Sequence, residues 1–295
     1  MNGATVQSQL QRIFQSIQVE DLLISRLSLA LNNPEILNFS IALRDLGNRR
    51  PDGWFHPSTH PLWPELKLYW YMTEPERIVS ESRNITDTLT VTQGSFWHAF
   101  VQYVLLDNGL LKEVNPSKEH AHDKVEWFVK DDALKSRGAL DGVLVSENLG
   151  LDQLTTFEFK TLNATKMRSA PSNGAFSRER REWFKEKFPP YYLQAQEYMR
   201  LSGSRSHQVL MMAIEYPFDM VEINLPYDAE TAGRTVAKYR FVLECVEKRM
   251  PPSEFCCRPN STAATATCIA RTVCPRGVRQ SETVPVIAPT IRELT

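Results

Sequence analysis

The sequence of 295 residues has no cysteine before Cys245 and five in all, an odd count confined to its last quarter. That distribution excludes a disulfide framework as the device that organises the fold. Long apolar runs are missing too. None approaches the roughly twenty residues of a membrane span, and Met1 to Gln18 lacks a basic-then-apolar leader. The expectation is a cytoplasmic protein with no membrane partner. No G-x-x-x-x-G-K-[ST] loop occurs, so the chain brings no ATPase motor of its own. Charge of one sign is also in short supply. A formal net charge of −1 gives no global attraction to nucleic acid, so any such binding must come from local patches.

What is present suits an ordinary globular chain. With 42% hydrophobic and 23% charged residues there is enough apolar surface for one good core plus additions. Val6 to Leu31 carries Leu10, Ile13, Phe14 and Ile17 at helical spacing, which predicts a helical lead-in over residues 1–50. The principal domain is expected over 51–250, a cysteine-containing segment over 251–281 and a flexible tail over 282–295. Strands are expected at Val125 to Val129, Leu140 to Val145, Leu154 to Phe159, Val209 to Ile214 and Val221 to Leu225. Helices from Ser95, Pro190 and Ala229 would cover a mixed sheet of about five strands, an α/β architecture. Before the first strand, His120 and His122 sit among Pro116, Lys118, Glu119 and Asp123 and read as an exposed loop.

The chemistry lies in an ordered series of polar residues: Gly138, Asp141 and Gly142, then Glu158 and Lys160, then Gln194 and Tyr198. Leu140 to Val145 and Leu154 to Phe159 flank the polar turn Glu147 to Gly150 and read as a hairpin. If the ladder closes symmetrically about Leu149 and Gly150, Asp141 lies opposite Glu158, because paired antiparallel positions keep a constant index sum. Alternation then turns Glu158 and Lys160 to one face and Phe157 and Phe159 to the other. Asp141, Glu158 and Lys160 converge. Two carboxylates can hold a divalent metal and a lysine can sit beside an attacked phosphate, which is the equipment for cutting a phosphodiester. Gly142 fits a close pass of the strand by a metal or phosphate. Pro189 and Pro190 suit a helix start, and Ser202 and Gly203 a stop. Between them Gln194 and Tyr198, four apart, share a helix face that could touch a phosphate or base.

These motifs resemble the RecB-like branch of the PD-(D/E)XK nuclease superfamily, which includes the small CRISPR-adaptation exonucleases and phage exonucleases. The resemblance spans about Pro51 to Asp228 and rests on the order and spacing of motifs: a histidine on an early helix, G-x-x-D-G, E-x-K and Q-x-x-x-Y. Here they fall on His98, Asp141, Glu158 with Lys160, and Gln194 with Tyr198. The resemblance implies a restriction-endonuclease-like core. It also implies Mg²⁺ or Mn²⁺ held by His98, Asp141, Glu158 and the backbone carbonyl of Phe159, with Asp141, Glu158 and Lys160 catalytic. The implied activity is that of a DNA exonuclease on single-stranded or end-resected DNA in phage or bacterial recombination and repair, with a recombination or replication protein as a partner. One departure is plain. Where many relatives carry the first of four iron–sulfur cysteines, this chain offers Trp63.

Between Thr161 and Pro190 seven basic residues stand against three acidic ones. Lys166, Arg168, Arg178 and Arg181 form a candidate DNA-binding patch, with Trp183 and Phe184 as base-stacking candidates; a solvated helix from Arg178 to Lys187 of mixed sign reads equally well. Cys256, Cys257, Cys268 and Cys274 could ligate a structural Zn²⁺ or an iron–sulfur cluster, although they lack C-x-x-C pairs and free thiols remain the other reading. Two rival functions stay open: a non-cleaving nucleic-acid-binding protein on the same fold, and a zinc-stapled interaction protein.

Overall fold

A computed structural model of the protein describes residues 21–31, 51–78, 85–215, 218–253 and 268–275. The apolar positions of the lead-in before residue 21, Cys256, Cys257 and the tail lie outside the described residues. In chain order the helices are α1 (Ile24–Leu31), α2 (Glu65–Thr73), α3 (Ile85–Asp107), α4 (Ala121–Val125), α5 (Ser146–Leu149), α6 (Ala164–Met167), α7 (Arg178–Lys187), α8 (Pro189–Ser202) and α9 (Ala229–Glu247). The strands are β1 (Trp127–Asp131), β2 (Ser136–Leu140), β3 (Gly142–Val143), β4 (Thr155–Leu162), β5 (Ser206–Ala213) and β6 (Met220–Pro226).

The chain divides into two compact units. The larger comprises Met1–Leu46, Phe55–Leu62 and Arg83–Val236 and contains every strand among the described residues. Its α/β core is a mixed sheet in the order β3-β4-β5-β6, with β4 and β5 parallel and the outer pairs antiparallel. Among the described residues the sheet has four strands where about five were expected. The segment read as a fifth strand begins two residues later, at Trp127, and pairs only with β2 in a separate two-stranded ribbon. A turn from Asp131 to Ser136 closes that ribbon locally, and Phe55 bonds to its outer edge through the Lys135 carbonyl and the Arg137 N–H.

Alternation along the strands builds the core on both faces. Phe157, Phe159, Leu210 and Met212 pack with Leu23, Ile24 and Leu27 of the α1 region and Val101, Val104 and Leu105 of α3. Leu162, Val209, Met211, Ala213, Val221 and Ile223 turn the other way, against Trp183 and Phe184 of α7 and Tyr192, Ala195 and Met199 of α8. Fully burying side chains of this size is worth about 1.5–3 kcal/mol each. The period-2 pattern thereby fixes which residues of β4 are left for chemistry. Glu158 and Lys160 fall on the α8 side.

A clamp at the β6 edge ties the start of α1 to the sheet. Glu222 accepts the backbone N–H groups of Leu23 and Ile24, and buried Arg180 bonds Asp21 at 2.6 Å and the Glu222 carbonyl at 3.0 Å. A second buried network ties the ribbon to α8: Glu197, fully buried, accepts from Ser136 and from two nitrogens of Arg200, which also reaches Asp131.

The smaller unit comprises Gly47–Trp54, Trp63–Ser82 and Ala237–Thr295. In it Lys67 Nζ lies 3.8 Å over the Trp63 ring, Lys238 donates to the Trp63 carbonyl, and Arg77 and Thr272 exchange hydrogen bonds. Cys245, Cys268 and Cys274 are free thiols. Among the described residues no helix is long and apolar enough to cross a membrane.

Candidate active site

The β3–β4 ladder pairs Gly142 with Phe157 and Val143 with Thr156. That register places Asp141 across from Glu158, as the symmetric hairpin requires. The connection differs from a simple turn, since one helical turn, α5, fills it and Gly150 closes it with a positive φ of 64°. The expected strand over Leu140 to Val145 is also broken at Asp141. The Asp141 carbonyl is taken by Gln102 Nε2 of α3 at 2.7 Å, and its carboxylate Oδ2 accepts the Phe159 N–H at 2.9 Å. The aspartate side chain thus replaces the next rung of the sheet edge. Because a strand residue points its N–H and C=O toward the same edge, the Phe159 carbonyl opens on the side where Asp141 stands.

On α3, His98 Nδ1 lies 3.4 Å from Asp141 Oδ2, and its ring meets that of Phe159 edge-on with centroids 5.0 Å apart. Glu158 Oε1 accepts Lys160 Nζ at 2.5 Å and Gln194 Nε2 of α8 at 3.0 Å. Glu158 Oε2 is buried with no hydrogen-bond partner. Lys160 Nζ also sits 5.0 Å over the ring of Tyr191. His98, Asp141, Glu158, Phe159, Lys160 and Gln194 are therefore gathered in one place.

The two carboxylates are both buried, and their different neighbours make them differ in acidity. Burial pushes Asp141 up, but the His98 imidazole, Lys160 and the Phe159 N–H outweigh it and hold Asp141 below the usual aspartate value. Burial also pushes Glu158 up and the Asp141 charge pushes it further, so Glu158 titrates well above an ordinary glutamate despite Lys160. Burial works against the Lys160 ammonium, yet Glu158 and Asp141 keep its pKa above the usual lysine value.

Among the described residues no group of three or more His, Cys, Asp or Glu side chains is gathered closely enough to hold a metal ion by itself. A hard divalent cation asks for less, since Mg²⁺ is commonly bound through one or two carboxylates and keeps several waters. Asp141, Glu158 and the Phe159 carbonyl fit that demand. The orphaned Glu158 Oε2 is an acceptor in need of a positive partner. The 3.4 Å between His98 Nδ1 and Asp141 Oδ2 is close to the roughly 3 Å that separates neighbouring ligands of one octahedral ion.

Other expected site residues fall elsewhere. Tyr198 is 4% exposed, and its hydroxyl donates to the Ala139 carbonyl at 2.8 Å while its ring packs on Gly138. Gln194 is buried and turned onto Glu158, so this face of α8 holds the site and presents neither residue to solvent. Gly142, expected at a close pass by a metal or phosphate, lies against Leu111: a Cβ there would meet that side chain at 2.8 Å, so packing by itself accounts for the glycine.

Lys166, Arg168 and Arg178 are exposed, while Arg181 is half-buried and donates to the Asn224 carbonyl. Arg180 is spent on Asp21. Trp183 and Phe184 are unavailable to stack on bases, because α7 buries both against the sheet. His122, expected in an exposed loop, is buried in α4. Of the four candidate cysteine ligands, Cys268 and Cys274 are described as free thiols, with no metal-holding group among the described residues.

Sequence reasoning missed Gln102, whose bond to a backbone carbonyl leaves no motif, and Tyr191. It also missed His207, fully buried on β5 with Nδ1 2.8 Å from Thr156 Oγ1 and Nε2 unpartnered. A histidine inside an apolar strand was the one available signal for it.

No protein-family model matches the chain, and no curated protein sequence matches it. Similar solved structures include the crystal structure of SSO0001, at 13% identity and TM-score 0.37, covering 85% of this chain and 95% of that one. They also include an alkaline exonuclease, LHK-Exo, from Laribacter hongkongensis, at 13% identity and TM-score 0.44, covering 67% of this chain and 89% of that one. The same exonuclease in complex with dAMP gives a TM-score of 0.40. At this distance the likeness assigns no activity to the chain.

Proposed function

We propose that this chain is a Mg²⁺- or Mn²⁺-dependent nuclease that hydrolyses phosphodiesters in DNA. The observation that supports the reading is the meeting of Asp141 and Glu158 across one ladder, with Lys160 on the Glu158 face and one Glu158 oxygen left without a partner. His98, Asp141, Glu158 and the Phe159 carbonyl would hold the cation. A bound cation supplies a lowered pKa for water and neutralises charge that develops on the phosphate.

The chain's own residues do the rest. Phe159 and Gln102 hold Asp141 by its side chain and its backbone, and Gln194 fixes one oxygen of Glu158, leaving the other as the one that would hold a cation. Lys160 shares the Glu158 carboxylate and would pair with a phosphate oxygen, supplying preorganised positive charge where negative charge builds up. The exposed Lys166, Arg168 and Arg178 would draw in the nucleic-acid backbone. The motif resemblance favours an exonuclease acting on single-stranded or end-resected DNA.

Digestion of labelled linear and circular single-stranded DNA with Mg²⁺ or Mn²⁺ tests the reading. Cutting by the wild type that is lost in Asp141→Ala and Lys160→Ala supports the site, and sparing of circles makes the enzyme an exonuclease. Absence of metal-dependent cutting of DNA by the wild type refutes the proposal.

A further inference from the structure

The Lys160 ammonium has two partners of different kinds. One is the Glu158 carboxylate at 2.5 Å, the other the ring of Tyr191, whose centroid lies 5.0 Å from Nζ. Tyr191 is half-buried in the first turn of α8, three residues before Gln194, so both rise from one helix face. They grip the two halves of one ion pair: Gln194 the carboxylate, Tyr191 the ammonium.

The ring is itself held. It stacks on Phe188 with centroids 5.9 Å apart and planes 10° from parallel. Phe188 meets Trp183 edge-on at 5.3 Å and Phe184 at 5.7 Å, and both of those rings belong to the buried core. Pro189 and Pro190 restrict the backbone immediately before. A row of rings anchored in the core under α7 therefore ends on the lysine.

The ammonium contacts Glu158 Oε1 directly, and a flexible four-carbon stem alone would leave it free to swing about that carboxylate. A π face adds a second attraction on the cation and displaces none of its hydrogen bonds to oxygen. We infer that Tyr191 is a positioning residue for Lys160, holding the ammonium where Glu158 and an arriving phosphate oxygen can share it. The ring carries this role and the hydroxyl does not. The kinetic consequence rests on the nuclease reading; the hold on the ammonium does not.

The test compares wild type with Tyr191→Phe, which keeps the ring, and Tyr191→Leu, which removes it. Tyr191→Met serves if the leucine variant does not fold. NMR of protein labelled on lysine side chains, assigned with Lys160→Ala, reads the ring-current displacement of the Lys160 ε-methylene protons. The displacement is expected in wild type and Tyr191→Phe and lost in Tyr191→Leu. In metal-dependent cutting of single-stranded DNA, kcat should fall about three- to thirtyfold in Tyr191→Leu and stay within about twofold in Tyr191→Phe, with KM unchanged in both. Absence of the displacement in wild type overturns the inference, whether or not the protein cuts DNA. So does a lost displacement with unchanged kcat, or an equal fall in both variants. A wild type that cuts nothing refutes the nuclease reading separately, and the displacements in the three proteins then decide alone whether Tyr191 holds the ammonium.

Discussion

Asp141 Oδ2 accepts the backbone N–H of Phe159 at 2.9 Å, so a carboxylate proposed to hold a cation is also the last rung of the sheet edge. On that proposal structure and chemistry share one carboxylate, and two substitutions separate them. Asp141→Asn keeps an acceptor for Phe159 and loses the charge; Asp141→Ala loses both and leaves a buried N–H unsatisfied, at a cost of about 1–3 kcal/mol. Both variants are expected to lose at least a hundredfold in metal-dependent cutting and to bind Mn²⁺ more weakly. Only the alanine variant should show a clear drop in urea midpoint. An asparagine variant that cuts at the wild-type rate would remove Asp141 from the proposed chemistry.

Gln194 makes a related prediction. Its amide is a neutral donor to Glu158 Oε1, and partners that orient a ligating carboxylate typically contribute 10- to 100-fold in metal affinity. Gln194→Ala should weaken Mn²⁺ binding by about that factor in a calorimetric titration, with little change in fold by circular dichroism. An unaltered titration would mean that Lys160 alone fixes Glu158.

How much of this was legible in the sequence depends on whether the determinant was local. The Asp141–Glu158 register follows from a period of two and a constant index sum, both properties of nearby residues. The bounds of α7 and α8 follow from local punctuation, Pro189 and Pro190 at the start of α8 and Gly203 at its end. The break of the strand at Asp141 was not legible, because the group that takes the Asp141 carbonyl there is Gln102, thirty-nine residues upstream on another helix. Tyr198 was misread as facing a ligand for the same kind of reason. Helical spacing gives the face it shares with Gln194, but the partner of that face, the Ala139 carbonyl on the ribbon, is a tertiary fact. Trp183 and Phe184 lie in a strongly charged helix, and composition alone could not tell that its two aromatic residues turn inward.

The Glu197 network should dominate stability in the ribbon. Glu197 is fully buried, and Arg200 pairs with it and with Asp131. Removing one member of a buried charge network leaves the other uncompensated, at a cost of about 3–5 kcal/mol. Glu197→Ala is therefore expected to destabilise far more than Asp131→Ala, whose side chain is 25% exposed. Chemical denaturation of the two variants checks the order. Equal losses would show that Arg200 re-pairs or reaches water.

Glu222 gives a pH dependence with a definite sign. Burial pushes its carboxyl up from 4.5 to about 7, with the nearby Asp21 charge acting the same way and the Leu23, Ile24 and Gln208 donors only partly offsetting it. Between those values the native state keeps a proton that the unfolded chain has released, so this contribution is full below about 4.5 and is lost as pH rises through about 7. The slope attributable to the one group is roughly 1.4 kcal/mol per pH unit within that window. Urea midpoints of wild type and Glu222→Gln from pH 4 to 8 should differ by an amount that changes across the window. A constant difference would show that Glu222 is ionised throughout.

Two glycines near the site should respond differently to the same added methyl group. A Cβ on Gly142 would meet Leu111 Cδ2 at 2.8 Å, the far end of a single side chain. A Cβ on Gly138 would meet the Tyr198 ring at 2.8 Å and Pro57 Cδ at 3.1 Å, two groups with little freedom. Tyr198 is further held by its bond to the Ala139 carbonyl, so moving the ring costs that bond as well. Gly138→Ala is therefore expected to destabilise by about 1–3 kcal/mol, the usual range for overpacking, and Gly142→Ala by less. The Leu111→Ala, Gly142→Ala double variant should recover part of the Gly142→Ala loss relative to Leu111→Ala alone, because the cavity accommodates the methyl group. If Gly142→Ala instead folds normally and loses metal-dependent cutting, the glycine serves ligand approach after all, and the packing account of that strand is wrong.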